Sequence, residues 1–348
     1  MREIPLFLTF FSSLSLSIVL FSLIIWAYLY TSIFSRFYRR EKGRSRSKIF
    51  FRLGGFFAIL FFLVALLGNS YLVLSIDIMW LFWGSLAFLI LGFWDDLKSI
   101  SWKWQLYWQS VIIFVIIFFA KIRIESIPSL FLDERIFFVE RWEILGYIFA
   151  FLWFLLVINS LNWIDGIDGL APGIIVISGA SIAAVSLRPE VFQPPIFLLA
   201  CILCGSFLGL WLFNIHPAHF FSGTAGIFVA GFILAYLSLF SGVKIATLFL
   251  VLALPILDAL RVLFWRITTS QSLTKPDRNH IHYTLLEWGW NKKYVSFFLL
   301  SIATFFSFST FFFQTRGKIM TICMISFIFF GCLIAEYMYR KKDKTPVS

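Results

Sequence analysis

The chain has 348 residues, of which 60% are hydrophobic and 14% charged, and 46 are Phe; its net charge is +11. Ordinary soluble domains are about half apolar and about a quarter charged. That excess of apolar surface exceeds what a soluble interior can bury, so lipid must solvate much of the chain. The positive charge then reads as the Lys and Arg of membrane-protein loops and not as a nucleic-acid footprint.

Taken in order, apolar runs predict about eleven transmembrane helices in one all-α membrane bundle, spanning all of 1–348. They lie near 6–30, 50–72, 78–94, 104–121, 145–161, 170–187, 195–213, 222–240, 244–265, 294–314 and 319–339. The first follows Met1-Arg2-Glu3 without a clear small-residue cleavage site and reads as a retained helix. A short hairpin is expected within 122–144. Cys201 and Cys204, inside an apolar run without ligand partners, read as packing residues.

Counting charge sets the orientation. With the N-terminus outside, loops 31–48, 95–103, 159–169, 214–221 and 266–293 and the tail are cytoplasmic. They and the adjoining helix ends carry 20 of the 29 Lys and Arg. Basic loops stay inside. The same assignment puts all four His (His216, His219, His280, His282) and Asp95, Asp96, Asp165, Asp168 and Asp277 on that side, which is where chemistry is expected.

Four constellations stand out. Gly92-Phe-Trp-Asp95-Asp96 sets two adjacent carboxylates at a span end, a pairing favoured by a shared divalent cation; Lys98 or Lys103 are the plainer partners. Asn159-Ser-Leu-Asn162-Trp-Ile-Asp165-Gly-Ile-Asp168-Gly repeats polar groups at every third position along one helix side, with Gly166 and Gly169 allowing a turn and close approach. Phe213-Asn214-Ile-His216-Pro217-Ala218 runs into Ser222-Gly223-Thr224-Ala225-Gly226, whose glycines open a helix with amides suited to phosphate. Pro276-Asp277-Arg278-Asn279-His280-Ile-His282 offers groups for an anion, or is a solvated loop. Asp258 and Arg261, at i and i+3 in the 244–265 span, are expected to pair as a structural element.

In this order the motifs resemble the polyprenyl-phosphate N-acetylhexosamine-1-phosphate transferases, especially the bacterial undecaprenyl-phosphate GlcNAc-1-phosphate branch. The resemblance runs from about Arg52 to Gly289. It implies an enzyme of the cell inner (cytoplasmic) membrane. That enzyme moves a HexNAc 1-phosphate from a UDP-sugar to undecaprenyl phosphate and releases UMP, using Mg²⁺ or Mn²⁺. Such a step opens a cell-envelope pathway, of the lipopolysaccharide or teichoic acid kind, and a homodimer is compatible with it. By the resemblance Asp95, Asp96, Asp165 and Asp168 are catalytic, with Asp95, Asp96, Asp165 and Thr224 at the metal. Asn159, Asn162, Asn214, Lys103, Arg278, His280 and His282 would bind substrate. The chain departs from the family pattern at Thr224, where a metal-binding Asp is usual, at Tyr283 (often His) and at Gln105 (often Lys). Restoring a carboxylate at 224 is expected to raise activity or metal affinity. Two alternatives follow: an impaired relative that binds lipid phosphate or UDP-sugar as a partner or regulator, and a transporter.

Overall fold

The structure, a computed structural model, describes residues 53–124, 126–128, 135–137, 142–240, 245–268, 279–313 and 315–342, with Ser12, Ile18 and Val19 alone before them. The expected span at 6–30, the basic loop at 31–48, Arg52, Asp277 and Arg278 thus lie, but for those three residues, outside the described part.

Twelve helices occupy the described residues: α1 Gly54–Gly68, α2 Ile76–Lys98, α3 Trp102–Ala120, α4 Glu143–Ile164, α5 Leu170–Ser186, α6 Pro194–Asn214, α7 Gly223–Phe240, α8 Ile245–Val251, α9 Ala253–Thr268, α10 Ile281–Glu287, α11 Lys292–Phe312 and α12 Thr315–Lys342. The hairpin expected in 122–144 is present as β1 Ser126–Pro128 paired antiparallel with β2 Arg135–Phe137. Local chemistry sets the boundaries. The Ser75 hydroxyl accepts from the Ile78 amide to start α2, and Ser99 at φ 48° ends it just after Lys98, a basic residue suited to the negative helix end. Pro194 and Pro195 open α6, where a missing N–H costs nothing.

Five helices (α2, α3, α4, α6 and α11) are each long and apolar enough to cross a membrane. The helices α1, α5 and the apolar part of α7 are shorter; at about 1.5 Å per residue they do not reach across a hydrocarbon core of about 30 Å unaided. Among the described residues, the spans expected after residue 50 are therefore represented by helices of unequal reach. One expectation is corrected outright. The span at 244–265 is two helices, α8 and α9, bent by 78°. Pro255 lies in the first turn of α9, where its ring would clash with the Val251 carbonyl of a continuous helix.

Helix α7 is the centre. It is buried on nearly every side along its length and packs against α2, α4 and α1, as expected of a helix that is apolar all round. Phe232 stacks between Phe88 and Phe154, with ring centroids 5.2 and 5.5 Å away. Helices α2 and α7 run antiparallel and are pinned at both ends. Tyr236 donates to the Asp77 carbonyl at 2.7 Å, and the other pin is the start of the site below. Helix α3, by contrast, is mostly exposed and carries Trp104, Tyr107, Phe114 and Phe118 outward, the composition of a lipid face with aromatic residues near its end.

Candidate active site

The polar end of the bundle is assembled from the ends of α2, α4 and α6 and the starts of α3, α5, α7 and α10. At the end of α2, Asp96 is buried, with 6% of its surface exposed. Its Oδ1 accepts from the Thr224 amide at 2.9 Å and its Oδ2 from the Ala225 amide at 3.0 Å. A carboxylate on the first-turn amides satisfies groups that have no intrahelical partner and complements the helix dipole. The glycine-opened helix does begin at Gly223 as the sequence suggests, but these two of its amides hold Asp96 and are not left free for phosphate. The close seating depends on glycine: a Cβ on Gly92 would lie 2.4 Å from the Ala225 Cα, and one on Gly55 1.9 Å from the Ser222 carbonyl.

Asp95, half-buried beside it, is oriented by different groups. Its Oδ1 accepts from the Ile100 amide at 2.8 Å and from Gln105 Nε2 at 2.7 Å, and its Oδ2 accepts from the Thr224 hydroxyl at 2.7 Å. These donors take the place of the Lys98 or Lys103 partnership weighed from sequence; the Lys103 ammonium lies 5.9 Å from the Trp102 ring centroid.

The second cluster joins the α4–α5 turn to the end of α6. Gly169, at φ 79°, caps α5, and its amide donates to Asn214 Oδ1 at 2.8 Å. Asn214 is buried and its Nδ2 donates to the Phe220 carbonyl, so this residue clips two loops together. Asp168 Oδ2 meets His216 Nδ1 at 2.6 Å and accepts from the Ala218 amide at 3.3 Å. The pair opens on a small cleft lined also by Trp211, Ile215, Lys293, Ser296, Phe297 and Leu300. Asp165 is the half-buried C-cap of α4, and Asn162 lies half-buried in the last turn of that helix. Asn159, earlier on α4, turns to the bundle instead, donating to Gln109 Oε1 and the Leu155 carbonyl, both at 2.9 Å.

The third cluster brings the His pair to the same turn. His280 is the N-cap of α10, and its Nδ1 lies 2.7 Å from Asp258 Oδ2. Asp258 Oδ1 accepts from the Ile281 amide at 2.9 Å and from Arg261 at 3.2 Å, so the expected i, i+3 pair forms and also fastens this loop. The two imidazoles stack with centroids 5.8 Å apart and planes 8° apart. Both are buried, which overturns the solvated-loop reading for these two residues. His282 packs on Gly166, where a Cβ would come within 2.1 Å of its Nε2. Burial lowers its pKa to about 4; Asp258 opposes this, while His280 and Arg261 reinforce it. His282 is therefore neutral at pH 7.

A stability consequence follows. The unfolded His282 takes up its proton around pH 6.5, whereas the folded one resists until about pH 4. Between those values the unfolded state binds more protons, so stability falls as pH falls through this window. Thermal unfolding from pH 7 to 4 is expected to decline more steeply for the wild type than for His282→Gln; parallel profiles would refute it.

A family-wide sequence profile for glycosyl transferase family 4 matches residues 78–242. Over 233 residues the chain is 32% identical to the probable undecaprenyl-phosphate N-acetylglucosaminyl 1-phosphate transferase of Bacillus subtilis (strain 168), covering 65% of this chain and 63% of that one. Over 78–242 the chain is thus similar to glycosyl transferase family 4. A decaprenyl-phosphate N-acetylglucosaminephosphotransferase of Mycobacterium leprae is 30% identical over 188 residues, 46% of this chain and 47% of its own. A phospho-N-acetylmuramoyl-pentapeptide-transferase of Bacillus licheniformis is 26% identical over 227 residues, 62% of this chain and 68% of its own. The chain thus spans about half to two thirds of the length of the relatives it matches. Its apolar helices and this similarity together make it a multi-pass membrane protein. The profile covers Asp95, Asp96, the Asp165–Asp168 turn, Asn214, His216 and Thr224, whereas Asp258, His280 and His282 lie beyond it.

For a divalent cation, the donor set is hard oxygen. Among the described residues no three His, Cys, Asp or Glu side chains converge as a ready metal cage. Mg²⁺ does not require one, since it is commonly held by one or two carboxylates together with substrate phosphates and water. Asp95 beside the Thr224 hydroxyl offers oxygens of that kind, while Asp96, its two oxygens on α7 amides, serves as a cap. Sequence reasoning did not single out Gln109 or the loop-fastening role of Asp258, and it noted Gln105 only as a departure.

Proposed function

We propose that the chain transfers a sugar 1-phosphate, most simply HexNAc 1-phosphate, from a UDP-sugar to a polyprenyl phosphate at the cytoplasmic face of the cell membrane. The observation that carries the reading is the convergence of Asp95, the Asp165–Gly169 turn and the His280–His282 pair at one end of an otherwise apolar bundle. A site there serves one donor from water and one acceptor from lipid. The names of the relatives support the same class of reaction.

In the proposed step an oxygen of the lipid phosphate attacks the β-phosphorus of the donor. The bond from that phosphorus to the bridging oxygen breaks, and UMP leaves with the electron pair. Nucleophile and electrophile are both anions, so screening and positioning supply much of the catalysis. Mg²⁺, when bound, would supply that screening, held by Asp95, Asp165 and Thr224. On the protein's side, Asp96 fixes the start of α7, Asp168 orients His216 in its cleft, and the neutral His282 offers hydrogen bonds without charge.

The test uses the purified full chain in lipid nanodiscs with undecaprenyl phosphate and a panel of radiolabelled UDP-sugars, with Mg²⁺ or Mn²⁺. Label is expected in the lipid phase with release of UMP. No transfer from any donor, with nucleotide binding retained, would support the second reading, a binding relative without turnover, in keeping with the absence of a three-carboxylate cage among the described residues.

A further inference from the structure

We infer that Gln105 and Thr224 form one unit, a two-sided harness that positions Asp95 and leaves it a single open lone pair. A carboxylate offers about four lone-pair sites. Three are taken here: two on Oδ1 by the Ile100 amide and Gln105, and one on Oδ2 by the Thr224 hydroxyl. The site left open is on Oδ2. The donors come from the loop after α2, the first turn of α3 and the first turn of α7, so three elements converge on one side chain.

Each donor is itself held. The Gln105 amide also donates to the Ile100 carbonyl at 3.2 Å, which fixes its plane. The Thr224 amide is tied to Asp96, which fixes its hydroxyl relative to α2. All three donors are neutral. A Lys or Arg in their place would cancel the charge of Asp95, whereas amide and hydroxyl donors set its direction and leave the full negative charge for an incoming cation or a cation-bound phosphate. Gln105 is therefore a positioning residue acting through Asp95, and Thr224 positions Asp95 with its hydroxyl proton while the lone pairs of that oxygen remain for the cation.

The kinetic part of this inference rests on the transferase reading, so its test carries an independent arm. Gln105→Ala, Thr224→Val, Thr224→Ser and the Gln105→Ala/Thr224→Val double variant are made in the full chain and measured in nanodiscs. Each single loss is expected to lower kcat about tenfold with the donor KM within about twofold, because a freed carboxylate misplaces its charge without altering donor contacts. Thr224→Ser, which keeps the hydroxyl, is expected within about twofold of wild type, and the double variant is expected to lose clearly less than the product of the singles, as for residues sharing one partner. Thr224→Asp, which exchanges the donor for a like charge, is expected to be at least as slow as Thr224→Val, reversing the gain expected from sequence. Multiplicative losses, a Thr224→Val equal to Thr224→Ser, or a Thr224→Asp at or above the wild-type rate would each overturn the harness. If the wild type transfers nothing, the transferase reading fails, and the unfolding temperatures of the wild type, Gln105→Ala, Thr224→Val and the double variant decide the harness alone: non-additive shifts support it and additive shifts overturn it.

Discussion

Gly92→Ala is expected to lower stability by about 2 kcal/mol, in the range of overpacked interiors, and to slow transfer about a hundredfold, as a misplacement of about 1 Å does. The new methyl would meet the Ala225 Cα at 2.4 Å, the Ala225 amide nitrogen at 2.6 Å and the Thr224 carbonyl at 2.8 Å. All three are backbone atoms, so no side chain can swing aside. Helix α2 must back away from α7, which stretches the bonds from Asp96 to the Thr224 and Ala225 amides and from Asp95 to the Thr224 hydroxyl together. Chemical unfolding and single-turnover transfer of the variant in nanodiscs check this. Wild-type values in both would mean that the two helices have room to spare.

The second large effect is expected at Asp258. Asp258→Ala should destabilise the protein by about 3–5 kcal/mol, the usual consequence of removing one member of a buried ion pair. Asp258 is 2% exposed, and it answers Arg261, His280 Nδ1 and the Ile281 amide at once. Its loss takes the carboxylate away from a largely buried guanidinium that also donates to the Asn279 carbonyl. It also unfastens the His pair from the α4–α5 turn. Asp258→Asn, which keeps one acceptor oxygen, should lose clearly less. Equal unfolding midpoints for wild type and Asp258→Ala would show that the carboxylate fastens nothing.

The sequence announced the polar end of the bundle more clearly than its wiring. Asp95 and Asp96 stand at the end of an apolar run and are conspicuous for that reason. That one caps a helix while the other stays oriented toward the site depends on Thr224, nearly 130 positions on, and no local pattern reports such a meeting. Asn159 is drawn in the same way by its three-residue spacing to Asn162 and Asp165. Its partner proves to be Gln109, because a helix stripe that drifts leaves its first member facing a neighbouring helix. The break between α8 and α9 had its cause in view at Pro255, but hydropathy averaged over a span passes across it. Burial of His280 and His282 was hidden for a different reason. It needs Gly166 to have no side chain and Asp258 to reach across from α9, and both conditions are properties of packing.

Gly55 and Gly226 bring α1 and α7 so close that a Cβ on Gly226 would lie 2.4 Å from the Gly55 Cα. With main chain resting on main chain, there is no compressible layer to absorb a sideways slip. The floor beneath Thr224 is accordingly stiff, and α1 and α7 must travel as one piece. The contact of α10 with the α4–α5 turn differs in kind, since there a side chain, His282, rests on Gly166.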